Sequence, residues 1–264
     1  MRQFSTGYTL GFSAAVCVVC SLLVSSAAVG LKARQLRNAA LDRRRSVCLV
    51  AGLIKPTETP SAERIAELFE HIEPIVVERA TGKETDISPV GFDQKAVASD
   101  PATSRQAPSN DAGVTRLPDH VLVYKVYEDD RLDQVIIPIR GKGLWSTLYG
   151  FLSLDSDGRT IRGITFYEHG ETPGLGGEVD NPRWKELWEG RYAYDQQWEP
   201  AIEVIKGHAG PPEEDPYQVD GLSGATITSR GVSHLVRFWL GEHGLGPYMA
   251  RLRERGELDR GSET

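Results

Sequence analysis

His120-Val-Leu-Val-Tyr-Lys-Val-Tyr127, Gln134-Val-Ile-Ile-Pro-Ile139, Leu144 to Leu154 and Thr160 to Tyr167 carry the densest β signal in the chain. Asp129-Asp130 and Asp157-Gly158 punctuate these runs as hairpin turns. Connections this short leave no room for a crossover helix, so the strands are expected to pair antiparallel. Helical patterns collect before and after them. The class is therefore α+β, a soluble domain with an antiparallel sheet and flanking helices.

Downstream, Asn181-Pro182 caps a short helix with Trp184, Leu187 and Trp188 on one side. Ala201 to Ile205 reads as a strand, and Gly210-Pro-Pro-Glu-Glu-Asp215 as a loop leading to Asp220. Val232, Leu235, Val236 and Trp239 recur at helical spacing, with Ser229 as N-cap and Gly241 as stop. Pro247 opens a last amphipathic helix through Tyr248 and Leu252, and the charged tail from Arg253 is expected to be frayed or solvated.

Upstream, Thr59-Pro60 is an N-cap and N1 pair for a helix with Ile65, Leu68, Phe69 and Ile72 on its core face. Pro74-Ile-Val-Val-Glu78 reads as a short strand. Residues 96–119 are rich in Ser, Pro, Ala, Asp and Thr, a surface loop or flexible insertion. Residues 32–55 read as a charged helix followed by a strand-like Val47-Cys-Leu-Val-Ala-Gly-Leu-Ile54.

No charged residue occurs from Gln3 to Leu31, and the apolar part exceeds the roughly 20 residues needed to cross a bilayer. Ser26-Ala-Ala28 resembles a signal-peptide cleavage site, but the long apolar run and the single preceding Arg2 favour a retained anchor. The expected divisions are an anchor at 1–31, the N-terminal part of the soluble domain at 32–119, and the sheet-bearing domain at 120–264. Cys17 and Cys20 lie inside the apolar span and read as small membrane-embedded residues, while Cys48 stands alone. A span without Asp, Glu, Lys or Arg makes a tether and no ion path. Net charge −7 and a pI near 5.5 argue against a nucleic-acid partner.

Three stretches carry possible chemistry. Asp220-Gly-Leu-Ser-Gly-Ala-Thr-Ile-Thr-Ser-Arg-Gly-Val232 feeds small residues and hydroxyls into a helix start, an anion-site pattern or a plain glycine turn. As a nucleophile elbow around Ser223 it misses Gly-x-Ser-x-Gly by one residue, and no Asp or Glu stands between it and His234. Gly141-Lys-Gly-Leu-Trp-Ser146 opens a strand instead of a helix, so it fails as a dinucleotide fingerprint. Glu168-His-Gly-Glu-Thr-Pro-Gly-Leu-Gly-Gly177 is a close-approach loop with too few ligands for a metal.

In chain order, Gly141 to Ser146, then His169 to Gly176, then Ser223 to Thr226, behind an N-terminal span, these three stretches resemble the C subunit of the sodium-translocating NADH:quinone reductase. The G subunit of Rnf-type electron-transport complexes is a related alternative. The first is favoured by the full Gly-Lys-Gly-Leu-Trp-Ser stretch and the long N-terminal half. The resemblance implies FMN attached through a phosphoester to Thr226 in Ser223-Gly224-Ala225-Thr226, installed by a separate flavin transferase. It implies an electron carrier within a bacterial inner-membrane complex, its soluble domain periplasmic, with NADH and quinone sites on other subunits. The cations Lys32, Arg34, Arg37 and Arg43 to Arg45 after the span point to the opposite orientation.

For such a site, the hydroxyls of Ser223 and Thr228 and the helix start are expected to meet the phosphate. The loop Glu171, Thr172, Gly174, Leu175 and Gly176 is expected against the flavin ring, with backbone N–H groups near its polar edge. Trp145 either packs in the core or touches the ring. Asp220 either serves the transferase or shapes the turn. No catalytic acid, base or nucleophile and no metal is expected. A membrane-tethered binding module without redox chemistry would keep the same fold and lack the chromophore.

Overall fold

The first helix, α1 (Thr6–Val50), continues through the stretch expected to turn into a strand. The computed structural model describes residues 5–258. The chain divides into two units, Met1–Arg43 and Arg44–Thr264. Within the first, α1 contains an exposed window of mean hydropathy 2.3, long and apolar enough to cross a membrane. In the second, its last residues Val47, Cys48 and Val50 are buried. The strand expectation for Val47–Ile54 is thus corrected. A β-branched run extends a helix already propagating into it, because each added residue closes another hydrogen bond.

A turn after Gly52 leads to α2 (Ala62–Leu68). Its N-cap is Ser61, whose Oγ accepts from Arg64 N at 3.2 Å, so the cap lies two residues beyond the expected Thr59. Then come β1 (Ile72–Glu78), β2 (Lys83–Glu84) and α3 (Gln94–Ser99), followed by the small hairpin β3 (Ser104–Gln106) and β4 (Arg116–Pro118). Residues 96–119, expected as a loop, therefore contain the end of a helix and two strands. Ala98, Ala112, Val114 and Leu117 are buried there, small apolar groups spaced too widely to show as a periodic pattern.

The main sheet adds β5 (His120–Glu128), β6 (Arg131–Lys142), β7 (Thr147–Asp155) and β8 (Ile161–Glu168). Its order is β2-β1-β5-β6-β7-β8, antiparallel throughout. Asp129 and Asp130 take φ of 50° and 62°, the pair of positive values that matches hairpin twist. After β8 follow α4 (Pro182–Glu186), the short parallel pair β9 (Glu203–Val204) and β10 (Gln218–Val219), α5 (Thr226–Leu240) and α6 (Gly246–Arg255).

Both faces of the sheet are covered, so strands that read as near-continuous apolar runs are explained. One face joins Val123, Val135, Ile137, Leu152 and Leu154 to Val232, Leu235, Val236 and Trp239 of α5 and Leu252 of α6. On the other, Tyr124 stands edge-on to Phe69 at 6.0 Å and to Phe151 at 5.8 Å. There Gln134 Nε2 donates to Ala51 O at 3.1 Å, tying the end of α1 to the sheet. The tail is docked further than expected: Leu258 is buried, and Glu257 accepts from Lys125 at 2.7 Å. Residues 259–264 of that tail lie outside the described residues.

Candidate functional site

Helix α5 begins at Thr226, three residues before the expected cap. Ser229 N donates to Ala225 O at 2.9 Å, which carries the helix back one turn. Ser229 has another task. Its Oγ accepts from Leu222 N at 3.0 Å and fixes the approach to the helix. The N-cap residue, Ala225, has no side-chain oxygen to offer the first-turn N–H groups. Just before it, Gly224 adopts φ of +71°, which a side chain would strain.

Along this turn the side chains alternate sharply in exposure. Ser223, Thr226 and Ile227 face solvent, Ile227 being 50% exposed, whereas Thr228 is 0% exposed. Thr228 Oγ1 donates to Glu171 Oε2 at 2.7 Å. The expectation that Thr228 offers its hydroxyl to a phosphate is corrected: it is turned inward and committed to a carboxylate. Asp220 serves the turn. Its carboxylate takes Ala209 N at 2.8 Å and meets His208 Nδ1 at 2.6 Å, and its carbonyl accepts from Trp184 Nε1 at 2.9 Å.

Glu171 is the point where the three stretches meet. Besides Thr228, its carboxylate accepts the backbone N–H groups of Leu144 (3.3 Å), Trp145 (2.9 Å) and Ser146 (3.3 Å). Burial alone would raise its pKa. The Thr228 hydroxyl and the N–H groups of Trp145, Ser146 and Leu144 outweigh that and hold the pKa below its ordinary value. The fit around it is close. A Cβ on Gly176 would stand 2.6 Å from both Glu171 Oε2 and Thr228 Oγ1, and one on Gly143 would stand 2.5 Å from Glu171 Oε1.

The glycine loop is braced from behind as well. Glu171 N donates to His169 Nδ1 at 3.2 Å, so Nε2 carries the proton that meets Asp180 Oδ2 at 2.7 Å. Leu175 N and Gly177 N both donate to Thr172 O, at 3.1 and 2.9 Å. Those two N–H groups are therefore spent inside the loop. Thr172, Gly174 and Leu175 are exposed and Gly176 is buried.

Trp145 is 71% exposed, so its core reading is corrected. It belongs to a group of solvent-facing apolar side chains, with Leu144, Leu175 and Ile227, carried by the three segments that Glu171 and Thr228 bring together. Sequence reasoning missed Leu144 and Ile227, whose signal would have been their place beside expected site residues. It also missed the Glu171–Thr228 contact, which spans 57 positions.

Ser223 and His234 do not build a hydrolytic pair, since His234 Nδ1 meets Asp111 O at 3.2 Å. What the geometry offers is an exposed hydroxyl at an uncapped helix start, beside apolar side chains fit to cover a planar ring. That combination can take a ligand that joins a phosphate to a planar ring system, as the FMN implied by the resemblance does.

Comparison with known proteins agrees. A family model described as the FMN-binding domain matches residues 143–241, from the Trp145 loop to the end of α5. The C subunit of the Na(+)-translocating NADH-quinone reductase of Yersinia pestis is 45% identical over 97% of this chain and 96% of its own length. The Pseudomonas aeruginosa protein of the same name is 46% identical over 96% of this chain and 98% of its own. The crystal structure of Shewanella oneidensis NqrC superposes with a TM-score of 0.74 at 33% identity, covering 80% of this chain and 96% of that one. With relatives about 45% identical over nearly the whole chain and the same fold in the solved structure, the chain belongs to the NqrC family, the C subunits of the Na(+)-translocating NADH-quinone reductases.

Proposed function

We propose that this chain is the flavin-bearing electron carrier of a sodium-translocating NADH:quinone reductase, holding FMN by a phosphoester to Thr226. Electrons pass through it between redox centres of partner subunits, and the NADH and quinone sites belong to those subunits. The observation that carries the attachment point is the contrast between two threonines on one turn. Thr226 is exposed, whereas Thr228 is buried and bonded to Glu171. A transferase has free access only to the first.

A phosphodiester at Thr226 retains one negative charge. The N–H groups at the start of α5 and the exposed Ser223 hydroxyl are positioned to meet it, with Gly224 and Ala225 shaping the turn. Bound FMN supplies reversible electron transfer, and the chain's residues hold it, orient it and shield it. Leu144, Trp145, Leu175 and Ile227 supply apolar cover for the ring. With the Leu175 and Gly177 N–H groups spent on Thr172 O, the N–H groups of Thr172, Gly174 and Gly176 are those left for the ring's polar edge.

The chain is read as a single-pass inner-membrane protein anchored by α1, with its soluble domain periplasmic, where a flavin transferase reaches Thr226. The cations that follow the span favour the reverse on charge alone. Protease added to intact spheroplasts decides: degradation of the soluble domain supports the periplasmic reading, and full protection overturns it.

The attachment is tested by intact mass and in-gel flavin fluorescence of the chain produced with its flavin transferase. The wild type is expected to carry both signals and Thr226→Ala neither. An unmodified wild type under these conditions defeats the covalent reading. A flavin retained by Thr226→Ala moves the acceptor elsewhere.

A further inference from the structure

We propose that Glu171 is a positioning residue that also keeps an unneutralised negative charge beneath the flavin-bearing surface, so that the bound flavin is harder to reduce. The inference rests on the FMN reading above and adds a role for a largely buried residue, 6% exposed, whose hydrogen bonds go to Thr228 and the Leu144 to Ser146 backbone and not to the attachment hydroxyl.

Two observations carry it. The first is the set of partners. The four donors to the Glu171 carboxylate are three backbone N–H groups and one hydroxyl, all neutral. Among the described residues, the hydrogen bonds that hold its proton off all come from these neutral groups. Neutral donors stabilise a carboxylate without cancelling its charge, so the field of the anion persists at the surface above it. A buried charge is also screened less by water and salt than an exposed one.

The second is placement. Its partners carry the exposed apolar side chains of Leu144 and Trp145, its own loop carries Leu175, and Thr228 follows Ile227. All the apolar groups assigned to the ring are therefore fastened to one carboxylate. Gly143 and Gly176 pack so closely on the carboxylate that a Cβ on either would stand 2.5 or 2.6 Å from one of its oxygens, and with the four donors this holds the charge in place. Reduction adds an electron near this fixed anion, and Coulomb repulsion opposes it.

The test uses the full chain loaded with FMN by its transferase and reads the flavin's reduction equilibrium by spectroelectrochemistry. Intact mass is measured first. Absence of flavin on the wild type would count against the FMN reading itself, before Glu171 is tested.

Glu171→Gln keeps the shape and removes the charge. Its one-electron reduction equilibrium is expected to become about tenfold more favourable, equivalent to about 59 mV. Thr228→Val loosens the same clamp and leaves the charge, so its equilibrium should stay within about twofold of wild type. A loaded, folded Glu171→Gln chain with an unchanged equilibrium overturns the proposal. If Glu171→Gln does not fold, Thr228→Val decides. A shift there of about tenfold shows that clamp geometry alone sets the potential and overturns the charge role. An unshifted value, together with a lowered melting temperature, supports it.

Discussion

Lys125, paired with Val135 near the start of β6, and Glu171, packed against the loop beyond its end, are both buried charges held in contrasting ways. The Lys125 side chain is 5% exposed and lies 2.8 Å from Glu84 and 2.7 Å from Glu257. Burial alone would lower its pKa, but the hydrogen bonds to Glu257 and Glu84 prevail and raise it. Among the described residues, Glu171 has only neutral donors. At one end of the sheet the charge is compensated and fastens the C-terminal tail to β5. At the other it stays uncompensated where three loops present an apolar surface. The difference separates a charge kept for fastening from one that also acts on its surroundings.

The largest expected effect comes from Glu171→Ala, which strands three N–H groups and a hydroxyl together. A loss of about 3 kcal/mol follows, read as a lower urea midpoint. Lys125→Ala should cost less, about 2 kcal/mol, because Glu84 and Glu257 are 28% and 31% exposed and water can take over their solvation. If the two losses came out reversed, the neutral-donor site would be the weaker fastening and the contrast would fail.

Acid titration sharpens the same comparison. Glu171 and Glu257 have pKa values lowered in the fold: burial alone would raise each, and hydrogen bonds outweigh it. Their contributions are complete above the ordinary Glu value of about 4.3 and are lost as pH falls through the lower folded values. Lys125, raised in the fold, contributes fully below the ordinary Lys value of about 10.4 and loses its contribution as pH rises through the folded value. Melting temperature followed from pH 7 downward should therefore fall less steeply in Glu171→Gln than in wild type. Equal slopes would mean the carboxylate is not held as described. The smallest effect is that of Trp145→Ala, within about 0.5 kcal/mol of wild-type stability by the same urea midpoint.

Much of the fold was legible because its signals are local. The four strands from His120 to Glu168, their turns and the α5 pattern each arise from neighbouring residues, and the structure agrees with the α+β class. Errors came where two local readings compete. Val47–Val50 suits strand or helix, and continuation of α1 decided it. Ser61 and Thr59 are both fair caps, and only Ser61 is bonded to the helix. Residues 96–119 looked like a loop because their buried groups, Ala98, Ala112, Val114 and Leu117, are small or isolated.

The site divides in the same way. That the stretch from Asp220 leads into a helix, that two glycine-rich loops precede it and that an apolar span leads the chain were all available from residue order, whereas the start at Thr226 was not. The outward face of Trp145, the inward face of Thr228 and the joining of Glu171 to both were not. Residue identity settles hydrogen-bonding capacity, backbone freedom and periodicity, which act over a few positions. Which threonine is left exposed, and where a buried carboxylate finds its donors, depends on contacts across 25 to 57 positions. Those exist only once the sheet has brought the loops together.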